Sequence, residues 1–203
     1  MVFSNLSSVV NPRAYQKVAI FIDGTNFYNR LCDYLKSQGL QENDWQLNLH
    51  ILVKTLVQDR QLLRTYFYTN PGQKDKMAGL IFGINGEPKV QYVDVKLGTF
   101  DKSTKQEKRV DTLLVVDLLK LAYTGAIDTV ILISADEDFI DAVRAVKDSG
   151  KHVEIVSLVK CNAELKKEAD IFTDLSGLVA SLEHGVLVKR FIPSTSSAPT
   201  SAQ

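Results

Sequence analysis

The chain alternates between short apolar runs and longer segments whose apolar residues recur at helical spacing. Continuous apolar runs predict buried strands at 17–22 and 129–133, because a parallel strand covered on both faces shows no polar alternation. Aromatic, β-branched or alternating patterns predict three more strands, at 62–69, 89–97 and 152–158.

Apolar residues spaced three and four apart predict helices between these strands. They fall at about 26–37, 47–58, 74–84, 108–123, 137–148, 163–169 and 175–183. Thr25 or Asn26 is the expected cap of the first helix, and 98–107 is predicted as a polar loop. Strands that alternate with helices predict an α/β fold: a mainly parallel sheet covered on both faces, with the strand carboxyl ends at one rim.

Length and composition fit a single folded domain with two loose ends. The 203 residues divide into a lead-in at 1–15, a domain at 16–190 and a Ser/Thr/Pro-rich tail at 191–203 that we expect to be disordered. The 45% hydrophobic content is enough to fill a core. With 24 basic and 24 acidic residues, the net charge demands neither nucleic acid nor a membrane as partner, although local patches of either sign remain open.

The cellular location of the protein is predicted from the lengths of its apolar runs and the spacing of its two cysteines. No run approaches the ~20 apolar residues of a membrane helix, and residues 1–13 lack the basic start and apolar stretch of a secretory signal. Cys32 and Cys161 lie far apart without a CxxC pattern, which argues against a disulfide framework or structural zinc. We therefore predict a cytoplasmic protein with no membrane partner.

Carboxylates follow the two most apolar strands. Asp23 ends the first, Asp136 and Asp138 follow 129–133, and Asp111 enters near the start of the helix at 108–123. Ligands of open α/β sheets bind outside the carboxyl ends of the strands, and oxygen donors without His or Cys suit Mg²⁺ or Mn²⁺ better than zinc. The pattern therefore predicts an acidic pocket for a divalent metal.

A purely structural explanation is open for some of these residues. Acidic side chains in the first turn of a helix gain ~0.3–1 kcal/mol from the helix dipole, which by itself accounts for Asp111, Glu137 and Asp136, while Ser134 is also a natural N-cap. It accounts less well for Asp23, which directly follows five apolar residues. Asp117 lies about 120° around the helix from Asp111 and is a weaker ligand candidate.

Three sequence blocks together resemble one family. They are FIDGTN at 21–26, KRVD at 108–111 with Asp117, and SADEDF at 134–139. In this order and spacing they are similar to the signature blocks of NYN domains, which are PIN-like ribonuclease domains, and of the LabA-like subgroup in particular. The resemblance covers about 17–181. Ala135 and Arg109 stand where the family more often has glycine.

The resemblance implies a PIN-like three-layer α/β/α sandwich and a metal-dependent endoribonuclease. By motif, Asp23, Asp111 and Asp136 become the main catalytic and metal-binding carboxylates, with Asp138 beside them. Five further residues become the substrate-binding set: Thr25, Asn26, Ser134, Lys108 and Arg109. Single-stranded RNA is the expected substrate, because a pocket at a sheet rim accepts splayed nucleotides.

Other functions remain as alternatives. A non-catalytic module that binds RNA or protein would keep the same acidic pocket, and a homodimer is open. A solvated loop is the simpler explanation for Lys102 and Lys105, and Tyr28 is equally suited to a base stack or to the core. A haloacid-dehalogenase-like phosphatase is disfavoured, because its first motif needs a second Asp where this chain has Thr25.

Overall fold

The central element of the fold is a six-stranded sheet in which every neighbouring pair is parallel. The computed structural model describes residues 12–82, 84, 92–101, 106–181 and 185–190. The strand order is β10-β9-β8-β1-β3-β5. In chain order these strands are β1 (Lys17–Asp23), β3 (Gln61–Thr69), β5 (Val93–Leu97), β8 (Thr129–Ile133), β9 (His152–Ser157) and β10 (Ile171–Asp174).

Helices cover both faces of this sheet and enclose two cores. On β1, Val18, Ile20 and Ile22 pack into one core, whereas Ala19 and Phe21 pack into the other. Both sides of the strand are buried, which is why its sequence shows no polar alternation. The first core is covered by α1 (Gly24–Ser37), α2 (Leu49–Val57), α3 (Pro71–Leu80) and α7 (Ser176–Ala180). The second is covered by α4 (Val110–Tyr123), α5 (Ile140–Asp148) and α6 (Ala163–Glu168).

Smaller elements complete the described part of the chain. The strand β2 (Trp45–Asn48) pairs with β4 (Ile81–Phe82) and β11 (Leu187–Lys189). A hairpin of β6 (Thr99–Asp101) and β7 (Gln106–Lys108) precedes α4. Three 3₁₀ helices lie at Pro12–Tyr15, Glu42–Asp44 and Glu137–Phe139. None of the helices in these ranges is long and apolar enough to cross a bilayer.

The predicted α/β class, with a parallel sheet between two helical layers, is confirmed, but several local predictions were wrong. Residues 47–48 lie in β2 rather than in a helix, and Asn48 caps α2 by accepting a hydrogen bond from the Ile51 amide at 3.2 Å. The predicted loop at 98–107 contains the β6–β7 hairpin, and the sixth sheet strand, β10, was missed. All of these strands are only three or four residues long, too short for an alternating pattern to stand out, and β2 and β10 pair with strands distant in sequence.

The sheet topology fixes where a ligand site can form. From β1 the chain proceeds to β3 and β5 on one side, and later to β8, β9 and β10 on the other. The strand order therefore reverses between β1 and β8, and a crevice opens there at the carboxyl ends of the strands. Asp23 is the last residue of β1, and Ser134 directly follows β8. The predicted segment 1–11 of the lead-in and the predicted tail at 191–203 lie outside the described residues.

Candidate active site

A cleft of about 280 Å³ opens at this reversal of strand order. Its walls come from the end of β1, the first turns of α1 and α4, and the loop after β8. The lining residues are Asp23, Thr25, Asn26, Asn29, Arg109, Val110, Asp111 and Asp136. Three carboxylates and one guanidinium thus border one concave surface.

Asp23 is a buried carboxylate with two structural partners. Its Oδ1 accepts the Asn26 amide at 3.1 Å, and its Oδ2 accepts the Ser134 hydroxyl at 3.1 Å. Asp23 is therefore the N-cap of α1, and the predicted cap at Thr25 or Asn26 was wrong. Each carboxylate oxygen has a second lone pair that these two bonds leave available.

The helix begins immediately after Asp23 because Gly24 lets the chain pass close to β3. A Cβ at this position would overlap the Phe67 ring and lie 2.5 Å from the Tyr68 carbonyl oxygen. Only glycine fits without displacing β3. Gly24 thereby brings the amino terminus of α1, and with it Thr25 and Asn26, to the edge of the cleft.

Burial controls the protonation of Asp23. Removal from water raises the pKa of Asp23 to about 6, against the opposing effect of the hydrogen bonds from Asn26 and Ser134. Repulsion from Asp111 and Asp136 is a smaller cause of the same rise in the pKa of Asp23. A cation in the cleft would reverse this repulsion and favour the charged form.

The loop after β8 is tied to α1 by a short chain of hydrogen bonds. The Ser134 hydroxyl accepts the Asp136 amide at 3.2 Å, and the Asn26 side-chain oxygen accepts the Ala135 amide at 3.2 Å. Asp136 caps the following 3₁₀ helix by accepting the Asp138 amide at 3.1 Å. These bonds hold Asp136 at the same cleft as Asp23.

The opposite wall begins at Arg109. This residue has a φ of 74° and lies in the left-handed region, directly before α4. For a residue with a Cβ, that conformation costs roughly 1–2 kcal/mol. It makes the turn from β7 into α4, so that both Arg109 and Asp111 line the cleft.

Comparison with known proteins identifies the family. The family model of the NYN domain matches residues 17–177. The chain belongs to the NYN domain family. NYN domains are PIN-like nuclease domains, and the parallel sheet between helical layers agrees with that fold.

Two sequence relatives match part of this chain, and both are uncharacterized proteins. The uncharacterized protein MJ0482 of Methanocaldococcus jannaschii is 23% identical over 140 residues, which are 69% of this chain and 47% of that protein. The uncharacterized protein y4oD of Sinorhizobium fredii is 34% identical over 82 residues, 38% of each chain. The chain thus spans less than half of either relative.

One solved structure has the same fold. The crystal structure of VPA0982 from Vibrio parahaemolyticus, a protein of unknown function, matches with a TM-score of 0.62 at 18% identity. The match covers 80% of this chain and 94% of that one.

The NYN fold brings together most of the predicted site residues, but not all. Asp23, Asp111 and Asp136 line the cleft with Thr25, Asn26 and Arg109. Ser134 is buried behind Asp23, to which it donates. Asp138 is exposed and is not among the lining residues, so its role as a ligand stays a prediction.

The basic residues of the hairpin are placed only in part. The side chain of Lys108, and the whole of Lys102 and Lys105, lie outside the described residues. Lys108 therefore stays a prediction as a substrate-binding residue.

Two other candidates have structural partners. Asp117 does not line the cleft and accepts the Tyr68 hydroxyl at 3.0 Å. Tyr28 is 4% exposed and packs in the core, which excludes a base stack on its ring.

Asn29 is a lining residue that the sequence argument missed. It lies three residues after Asn26 on α1, and residues three apart share a helix face. Once Asn26 is placed at the cleft, the same spacing places Asn29 there. This helical periodicity is the signal that would have found it.

The oxygen donors of the cleft suit a hydrated hard cation better than a cation coordinated only by protein side chains. In the described ranges, no three His, Cys, Asp or Glu side chains are close enough together to hold an ion directly. Mg²⁺ commonly keeps several waters and binds through one or two carboxylates, which the oxygen donors of the cleft can supply. The Thr25 hydroxyl is buried, and no described residue is its hydrogen-bond partner, so it is available to a bound water or ligand.

Proposed function

We propose that this NYN domain is a metal-dependent endoribonuclease that hydrolyses phosphodiester bonds of single-stranded RNA. The observation that supports the proposal is the convergence of Asp23, Asp111 and Asp136, from three separate elements, on one cleft at the reversal of strand order. Carboxylates in such a group repel one another, and a shared cation is the ordinary way to stabilise them.

Each acidic residue has a role in this proposal. Asp23, Asp111 and Asp136 would hold hydrated Mg²⁺ or Mn²⁺, one or two of them directly and the rest through waters of the ion, and the ion would supply polarisation of the phosphate and a lower pKa of the attacking water. Asp23 is fixed by Asn26 and Ser134 and provides a preset anchor. Asp138 supports Asp136 through its backbone amide.

The remaining lining residues are suited to RNA. The Arg109 guanidinium is a cation for a phosphate next to the cleaved bond, since phosphate contacts supply most sequence-independent affinity. The Thr25 hydroxyl and the Asn29 amide offer hydrogen bonds to phosphate or sugar oxygens. A cleft at a sheet rim admits a strand whose bases are splayed out, which favours single-stranded over duplex RNA.

The decisive experiment compares the wild type with Asp136→Asn and Asp33→Asn. Asp33 is an exposed residue of α1 outside the cleft, so its variant is a matched control for the loss of one carboxylate. We expect Mg²⁺- or Mn²⁺-dependent cleavage of a labelled single-stranded RNA by the wild type and Asp33→Asn. Asp136→Asn should lose at least about a hundredfold in rate, as for loss of a metal-held reacting group, while keeping its circular dichroism spectrum.

Two results would contradict the proposal. Equal trace cleavage by the wild type and Asp136→Asn would identify a contaminating nuclease. RNA binding by the wild type without cleavage under either metal would instead favour the non-catalytic RNA-binding module.

The LabA-like assignment and the domain bounds of 16–190 stay predictions, because the family match concerns the NYN domain as a whole.

A further inference from the structure

A second cavity adjoins the acidic cleft on the side of α4. It is a groove of about 370 Å³ between the end of β5 and the first two turns of the helix. Its lining residues are Leu97, Gly98, Thr99, Arg109, Thr112, Leu113 and Val116. Arg109 lines both cavities, so the groove and the cleft meet at this residue.

The groove exposes apolar side chains that the fold does not cover. Leu97 is 44% exposed and Val116 is 55% exposed. They lie uncovered because β5 is an edge strand of the sheet, and because α4 buries Leu114 and Leu118 in the core while Thr112 and Val116 face outward. The groove thus combines apolar walls with a hydroxyl and a cation at its edge.

We propose that this groove binds a nucleobase next to the cleaved phosphodiester, while Arg109 contacts the phosphate between groove and cleft. This subsite rests on the proposed ribonuclease function. It adds a path for the substrate strand, which runs from the cleft, past Arg109, along the first two turns of α4.

The chemistry of the groove fits a base. A nucleobase has flat apolar faces and polar edges. Leu113 and Val116 can contact a face, and the Thr112 hydroxyl can bond to an edge in either direction. Contacts to base faces are sequence-tolerant, because every base offers a π-face. We therefore expect the subsite to detect the presence of a base more than its identity.

The backbone of Arg109 supports the same assignment. Its φ of 74° is unfavourable for a residue with a Cβ, and such strain concentrates at functional sites. Glycine would relieve the strain but would remove the cation shared by the two cavities. The strained turn places that cation where a strand passing from cleft to groove carries a phosphate.

The test combines a variant whose groove is filled by a larger side chain with RNA substrates that lack a single base. Val116→Trp places a large side chain in the groove, and Tyr123→Trp places the same side chain elsewhere on α4. Tyr123 is 64% exposed and lines neither cavity, so its variant is a matched control. The substrates are one RNA with a mapped cleavage site and a series carrying a single abasic nucleotide at successive positions beside that site.

For the wild type and Tyr123→Trp, we expect one abasic position to lower kcat/KM at least about threefold, as for the loss of one small apolar contact. The kcat/KM of Val116→Trp on the intact RNA should equal the kcat/KM of the wild type on that abasic RNA. When the same abasic RNA replaces the intact one, the kcat/KM of Val116→Trp should fall less than about twofold further.

Three results would overturn the subsite. In the first, the wild type cleaves all abasic RNAs like the intact one, which leaves the ribonuclease proposal standing. In the second, Val116→Trp behaves as the wild type does. In the third, light scattering shows a wild-type dimer that Val116→Trp dissociates, which makes the groove an interface between copies. Absence of any RNA cleavage or binding by the wild type would remove both proposals together.

Discussion

At the scale of single residues, Asp23 has two roles that conflict. As the cap of α1 it accepts hydrogen bonds from Asn26 and Ser134, which favour the carboxylate. As a buried group facing two other acids it is pushed toward the neutral form, and the pKa of Asp23 rises to about 6. Without a cation, the carboxyl group of Asp23 in the folded protein therefore ionises only near pH 6, well above the ordinary pKa of an aspartate.

This conflict predicts a pH-dependent stability in metal-free protein. The pKa of Asp23 rises on folding from 3.8 to about 6, so the folded state binds more protons in this window and loses stability as pH rises through it. Asp23→Asn has no such titration and can still cap the helix. Its free energy of unfolding relative to the wild type should rise by up to about 3 kcal/mol from about pH 4 to about pH 8.

Urea unfolding in the presence of a chelator measures this difference at each pH. Asp33→Asn, at an exposed carboxylate of the same helix, is the matched control for the loss of one carboxylate. A difference between Asp23→Asn and the wild type that is the same at both pH values would contradict the argument.

At the scale of elements, the start of α1 illustrates what sequence reveals and what it does not. The apolar strand and the Asp23–Asn26 block can be predicted from the sequence, because burial on both faces and polar residues at a strand end leave a local pattern. The cap position was misassigned, because it depends on how closely α1 approaches β3. That approach is set by Gly24 against Phe67 and Tyr68, residues more than 40 positions away.

The same limit explains the other differences. Asp111 and Asp136 were placed correctly because parallel strands and their helices deliver both to one rim. Asp138 follows two residues later, but the 3₁₀ turn that Asp136 caps leaves it exposed. The groove at Leu97 and Val116 has no sequence signal, since an uncovered helix face becomes visible only after the neighbouring elements are in place.

Gly24→Ala tests this reading of the α1–β3 contact. The added methyl group meets backbone, which cannot move aside cheaply, so we expect a loss of about 1–3 kcal/mol in the free energy of unfolding. Gly177→Ala is the matched control, because a Cβ on that residue of α7 meets nothing within 4 Å. Chemical denaturation gives both values, and equal effects would show that the close approach to β3 does not constrain the helix.

At the scale of the whole molecule, the cleft lies where the two halves of the sheet meet. One half contains β1, β3 and β5, and the other contains β8, β9 and β10. Asp23 ends β1 and Asp136 follows β8, so these two residues come from opposite sides of the boundary. An ion held between them would bind only when the halves are assembled. Metal binding should therefore stabilise the entire fold.

We expect Mn²⁺ to raise the unfolding free energy of the wild type and of Asp33→Asn. At ten times the dissociation constant the gain is about 1.4 kcal/mol, seen as a higher melting temperature. Asp136→Asn should show a much smaller rise at the same concentration. Equal rises in all three proteins would place metal binding elsewhere, whatever the RNA assays show.

The cleft and the groove beside it differ in how freely they can change during evolution. In the cleft, Asp23, Ser134, Asn26 and the Ala135 amide form a connected set of hydrogen bonds, so a substitution there alters the fold together with the chemistry. In the groove, Thr112 and Val116 face solvent, and their replacement leaves both cores intact. Single substitutions along α4 can therefore change substrate preference one residue at a time, whereas the hydrogen-bonded residues of the cleft can change only together.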